Sequence, residues 1–190
     1  MDLTAELERQ ADIYKGLNVS KDVIMGLFAP RPAGLPEYLN IPVVVLGKSV
    51  DLERQCKFAG IQLRFNPSKC IDTFGSITLD TPHLYWMQEG KTYTGIQQRE
   101  FVYHLSHDKN ERLATIYDGI AFAIVRPGFV DPNIDFKFRK FDLKLLGTRV
   151  EASTEFPYIQ GQGTRDPCIY KGDIHNSGEA NGNGVLTCSR

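Results

Sequence analysis

Apolar positions recur at three- and four-residue spacing in the stretch Ser106 to Pro127, where Leu113, Ile116, Ile120 and Ile124 form a stripe beside Tyr117 and Ala121. The pattern predicts a buried helix. Asp108 can accept the first free backbone N–H groups while Glu111 reaches back, and Pro127 with Gly128 ends the run. This rod is the expected centre of the fold. Before it, Leu3, Leu7, Ala11 and Tyr14 share one helical face that Gly16 can end, and Ser20 can cap a second short helix through Leu27.

The intervening segments follow from turn and strand chemistry. Ala29-Pro-Arg-Pro-Ala-Gly-Leu-Pro36 removes too many backbone donors for helix or ladder and reads as a connector. Ile41-Pro-Val-Val-Val-Leu46 is β-branched and apolar on both faces, which predicts an interior strand opening at Pro42. Ser49 or Asp51 then caps a helix through Phe58, closed by Gly60. Leu-Glu-Arg-Gln occurs at 7–10 and again at 52–55, too short a match to mark a duplication. His83 to Tyr93 reads as an aromatic hairpin turning at Gln88-Glu89-Gly90, followed by a helix from Ile96 to Leu105. Phe129 to Phe141 alternates aromatic and charged residues, as a half-buried strand does. Beyond Leu146, Gly, Asn, Ser, Thr and Pro dominate, predicting irregular loops with short strands. The expected fold is α/β or α+β in one compact domain of 190 residues: a helical pair at 1–28, a connector at 29–40, a core of packed helices and a small mixed sheet at 41–145, and an irregular segment at 146–190.

Composition narrows the class. A formal net charge of -1 with interspersed signs gives no basic footprint for nucleic acid, although Lys137-Phe-Arg-Lys140 is locally basic and aromatic. The apolar runs Ile41 to Leu46 and Ile120 to Val125 fall far short of the ~20 residues a membrane crossing needs. The amino-terminal residues are acidic and amphipathic rather than signal-like, so a cytoplasmic location is expected, with Cys56, Cys70, Cys168 and Cys188 reduced.

Candidate chemistry is sparse. His104 and His107, beside Asp108, share a helical face but lack a third ligand; Cys168, His175 and Cys188 lack paired metal-ligand spacing. No metal or other cofactor is therefore expected. Gly161-Gln-Gly-Thr-Arg165-Asp166 has Gly-x-Gly ahead of a basic residue without the third glycine of a dinucleotide fingerprint. Nucleophile-elbow, phosphate-loop and zinc-protease motifs are missing from the sequence. Arg149 and Arg190 each end a small-residue segment, Leu-Gly-Thr-Arg and Thr-Cys-Ser-Arg, from which a guanidinium can present a fork to carboxylate or phosphate. Tyr85, Trp86 and Tyr93 read as cross-strand packing before they read as a pocket wall.

Leu84-Tyr-Trp-Met-Gln-Glu-Gly, Leu113-Ala-Thr-Ile-Tyr-Asp-Gly-Ile-Ala, Leu145-Leu-Gly-Thr-Arg149 and the Thr187-Cys-Ser-Arg190 close resemble, in that order, a bacterial family of unknown function. That family carries Tyr-Leu-Leu-x-Val-x-x-Gly, Leu-Thr-x-x-Glu-Gly, Leu-Gly-Ser-Arg and a Gly-Ser-Arg end. Here Asp118 stands for its Glu, Thr148 for its Ser and Cys188 for its last Gly. The resemblance, over residues 84–190, implies a bacterial cytosolic globular protein and supplies no catalytic residue. Two functions compete. One is a non-catalytic binding or accessory module for a small ligand or protein partner, with room for a homodimer. The other is a small enzyme for a carboxylate- or phosphate-bearing substrate, its site built from the C-terminal loops with Arg149, Asp166 or His175 as candidates; Arg165 and Arg190 join these three as candidate ligand-binding residues.

Overall fold

The computed structural model describes residues 1–72, 80–88, 91–93, 111–127, 143–150, 155–160, 168–173, 183–185 and 187–189. The fold is α+β. Helix α1 (Leu3–Tyr14) starts at Asp2, whose carboxylate accepts from the N–H groups of Thr4 and Ala5, and α2 (Lys21–Met25) starts at Ser20. Asn18 turns the chain between them with a left-handed φ of 62°. The helical pair is thus as the sequence implies, but α2 stops at Met25, two residues early. The proline-rich connector is free of helix and strand and is gathered by one side chain: Arg31 donates to the carbonyls of Leu35, Pro36 and Leu39. This places Leu35 and Leu39 on Trp86 in a small separate cluster.

The remaining elements in order are β1 (Ile41–Val45), α3 (Leu52–Phe58), β2 (Gln62–Leu63), β3 (Cys70–Asp72), β4 (His83–Met87), β5 (Lys91–Tyr93), β6 (Glu111–Leu113), α4 (Ile116–Val125), β7 (Leu143–Lys144), β8 (Thr148–Val150), β9 (Glu155–Gln160), β10 (Cys168–Asp173), β11 (Asn183–Val185) and β12 (Thr187–Ser189). They form sheets ordered β1-β4-β12-β6 and β2-β10-β9-β7-β11-β5, with a separate β3-β8 pair. A continuous apolar core runs from Leu7 on α1 through β1 and α4 to Ile169 and Cys188.

The expected central rod is half right. Residues 116–125 are a helix and are buried on every side except at Tyr117, so Ile116, Ile120 and Ile124 do face the core. Residues 111–113, however, are strand β6, and the helix begins at Thr115, whose hydroxyl accepts from Asp118 N while Asp118 accepts from Thr115 N. This capping box overrides the Asp108/Glu111 start, because Glu111 and Arg112 find their buried partners only from a strand: Tyr38 and Thr187 for one, Asp118 for the other. Residues 106–110, the predicted helix at 96–105 and the predicted strand at 129–141 lie outside the described residues.

The hairpin expectation is corrected. β4 and β5 are not arms of one hairpin: β4 lies between β1 and β12, whereas β5 pairs with β11 in the other sheet. The late segment carries the short strands its composition implies, among them β9 and β10, which pair antiparallel over six residues each. Cross-strand partners, not local propensity, decide where β4 and β5 pair.

β1 is likewise a sheet edge rather than an interior strand, although all five of its residues are buried. Pro42 is tolerated because its missing N–H falls on the unpaired side. Helix α1 covers that side with side chains. The Gln10 amide donates to Pro42 O at 2.8 Å and accepts from Val44 N at 2.9 Å, the two bonds one residue of a parallel strand would make, and Tyr14 OH donates to Val44 O at 2.6 Å. Gln55, at the matching place in the second Leu-Glu-Arg-Gln, donates to Gly47 O and Val50 O in the turn after β1. The recurring tetrapeptide is a local solution used twice: leucine into the core, glutamine to backbone that has no strand beside it. Replacing Gln10 by Met keeps the volume and strands two buried backbone groups. The Gln10→Met variant should therefore lose about 2–4 kcal/mol in urea titration; a loss under about 1 kcal/mol would show that the edge does not need the amide.

Candidate functional site

A concavity lies between α3 and β2. Asp51 caps α3 by accepting from Arg54 N, and Leu52, Gln55 and Cys56 turn inward, leaving Glu53, Arg54 and Lys57 on the outside. The helix ends in a Schellman turn: Gly60 takes a left-handed φ of 69°, its N–H reaches Lys57 O, and Ile61 N–H reaches Cys56 O at 2.9 Å. The chain leaves as β2, which pairs parallel with β10 through Gln62 beside Cys168 and Leu63 beside Ile169. Between helix and strand is a groove of about 570 Å³, floored by Cys56, Ile61, Leu63 and Phe65 and rimmed by Glu53, Lys57 and Gln62. Burial, with Asp51 and Glu53 nearby, pushes the Cys56 thiol up to about 12, so the sulfur in the groove is not a nucleophile near neutral pH.

The second concentration of chemistry is sealed. Arg112 and Asp118 are both fully buried and meet bidentately at 2.6 and 3.0 Å, with Asp118 also accepting from Thr115 N and Thr115 Oγ1. The guanidinium lies 4.4 Å from the centroid of the Tyr85 ring. Burial opposes charge on Arg112, but Asp118, Cys188 and Tyr85 outweigh it and hold its pKa above the ordinary value. Burial likewise pushes the Cys188 thiol well above its usual range, and Cys188 Sγ faces Arg112 O. Beside this cluster, Tyr38 OH and Thr187 Oγ1 donate to the two oxygens of Glu111, Gln88 donates to Thr187, and Trp86 N–H donates to Ser189 Oγ. Every member but Tyr38 is buried, so the network joins strands rather than receiving a substrate.

Of the arginines singled out in the sequence, Arg149 is exposed on β8 opposite Ile71 and does not line the groove. Its small neighbours serve the fold instead: Gly147 N–H bonds Ala114 O, Thr148 Oγ1 accepts from Ile116 N, and a Cβ on Gly147 would come within 2.5 Å of Leu113 O. Arg165, Asp166, His175 and Arg190 lie outside the described residues, as do His104, His107, Tyr93's side chain and the basic segment 137–140. Cys168 and Cys188 sit in different sheets, and no group of metal-ligating side chains converges among the described residues. The motifs behind the family resemblance contact one another: Gly119 packs against Leu145, as Gly147 and Thr148 bond Ala114 and Ile116.

The groove residues were not singled out by sequence. Gly60 as a helix stop and Asn66-Pro67 as a turn bracket them, but a two-residue strand carries too little periodicity to see. No protein-family model, curated protein or solved structure matches the chain. No described helix is long and apolar enough to cross a membrane.

Two expectations follow. Asp118→Asn leaves a buried guanidinium without its counter-charge and should destabilise by about 3–5 kcal/mol, whereas Arg112→Met with Asp118→Leu should cost clearly less than the two single changes added together; strict additivity in denaturant titrations would mean the pair is not coupled. For the thiols the folded-state pKa is raised, so their contribution is complete below the unfolded value of 9.0 and is lost as pH climbs toward the folded value, about 12 for Cys56. Stability should therefore fall from about pH 9 upward, and the fall should flatten in a Cys56→Ala, Cys188→Ala variant; an unchanged alkaline limb would remove the thiols as its cause.

Proposed function

We propose that the protein is a soluble cytoplasmic binding or accessory module without catalytic activity, of bacterial type, and that the groove between α3 and β2 is where it meets its ligand or partner. One observation carries this reading: the groove combines an apolar floor of Ile61, Leu63 and Phe65 with a charged rim, and the one thiol in it is held protonated. A surface of this kind can desolvate an apolar group and orient it by charge. The buried Arg112–Asp118 cluster supports the same view, because both charges are fully enclosed and offset each other.

The test is a ¹⁵N-resolved fragment screen of the full chain with small apolar amides. Binders should shift the amides of Leu63 and Phe65 and raise stability by about 2.7 kcal/mol at one hundred times their dissociation constant. Leu63→Asp should abolish both effects. Fragments that act elsewhere, or turnover of a carboxylate or phosphate ester that is lost in Asp166→Asn or His175→Ala, would replace this reading with the enzyme built on the late loops.

A further inference from the structure

The groove's second wall specifies what kind of partner fits, an argument that rests on the binding reading above. Arg64 donates its N–H to Ile169 O at 3.1 Å, so Gln62 and Arg64 turn their backbone groups toward β10. Alternation along the strand then turns the N–H and C=O of Leu63 the other way, toward α3. β2 is the terminal strand of its sheet, and those two Leu63 groups take no hydrogen bond among the described residues. The groove therefore has, beside its apolar floor, a donor and an acceptor spaced as a neighbouring strand requires.

The opposite wall supplies charge. Glu53 and Lys57 stand one helical turn apart on α3, both exposed and both lining the groove, and neither makes an ion pair among the described residues. Two unpaired charges of opposite sign along one wall ask for the reverse order on the occupant. A small apolar ligand would leave the Leu63 amide and carbonyl to water and ignore that order. A helix would bring a backbone already bonded to itself.

We infer that the occupant is an extended peptide segment that joins β2 as an additional strand. Its backbone bonds Leu63, an apolar side chain rests on Leu63 and Phe65, an acidic residue faces Lys57 and a basic residue faces Glu53. The order of the two charges sets the direction of the peptide. β2 is two residues long, so backbone bonding is limited and the charge pair and the apolar contact carry the selectivity.

Random nine-residue peptides displayed against the full-length chain test this directly. Enriched sequences should carry an apolar residue between an acidic and a basic one, and the Glu53→Lys, Lys57→Glu double variant should enrich the opposite charge order. A synthetic version of an enriched peptide should protect the Leu63 amide from hydrogen exchange. Replacing its amide that faces Leu63 O by an ester should weaken binding about fivefold, the equivalent of one net hydrogen bond. Enriched peptides indifferent to the charge swap, or an ester that binds as well as the amide, would overturn the inference. If apolar fragments shift Leu63 and Phe65 while no peptide is enriched, strand addition fails and the binding reading stands; if neither probe acts on the groove, both fail.

Discussion

A guanidinium and a carboxylate, both removed from water, set the terms for this fold. The Arg112–Asp118 pair is tolerable only with geometry that satisfies nearly every lone pair and proton involved, and the satisfying groups come from different parts of the chain. Arg112 stands on β6, Asp118 on the first turn of α4, the Tyr85 ring on β4 and the Cys188 thiol on β12. Asp118 also closes the capping box, so the same carboxylate neutralises a cation and starts the helix. The strand-to-helix corner at 113–116 is in turn held by the crossing segment, where Gly147 and Thr148 bond Ala114 and Ile116 and Leu145 fills the space over Gly119. Disturbing any one of these exposes or orphans the charge at the centre.

Around this centre the chain closes its sheet edges with side chains rather than more strand. Gln10 supplies β1 with the donor and acceptor of a missing neighbour, Tyr14 supplies another donor, and Gln55 serves the turn that follows. Arg9, paired with Glu6, extends the role of α1 by donating to Val125 O at the end of α4. β1 thus stays apolar throughout without presenting a pairing edge. β2, at the edge of the other sheet, has no such cover on Leu63 among the described residues, and the contrast between the two edges is what draws attention to the groove.

Elements specified within one stretch of sequence were legible: α1 from its apolar face, α2 and α3 from Ser20, Asp51 and Gly60, the connector from its prolines, and the buried face of α4 from its isoleucines. The start of α4 was misplaced because Asp108 with Glu111 and Thr115 with Asp118 are both capping signatures at three-residue spacing, and only the distant partners of Glu111, Tyr38 and Thr187, separate them. The pairing of β4 was equally out of reach, since Gly90 gives a hairpin signal that β12 and β11 override from the far end of the chain. Arg149 was noticed for its small-residue neighbours, and those residues are small because the backbone passes close to α4. The groove escaped because its floor is made of single residues from a helix face, a Schellman turn, a two-residue strand and the segment just after it.

The position of β12 has a kinetic corollary. Ser189 and Thr187 fill the space between β4 and β6, and the bond from Gln88 to Thr187 spans 99 residues of chain. β4 and β6 therefore both precede in the chain one strand that lies between them, and Arg112 gains its full enclosure only when Cys188, 76 residues further along, is in place. Closing this sheet is thus a long-range step, and such steps are slowed by loop closure and leave strands unmated in the interval.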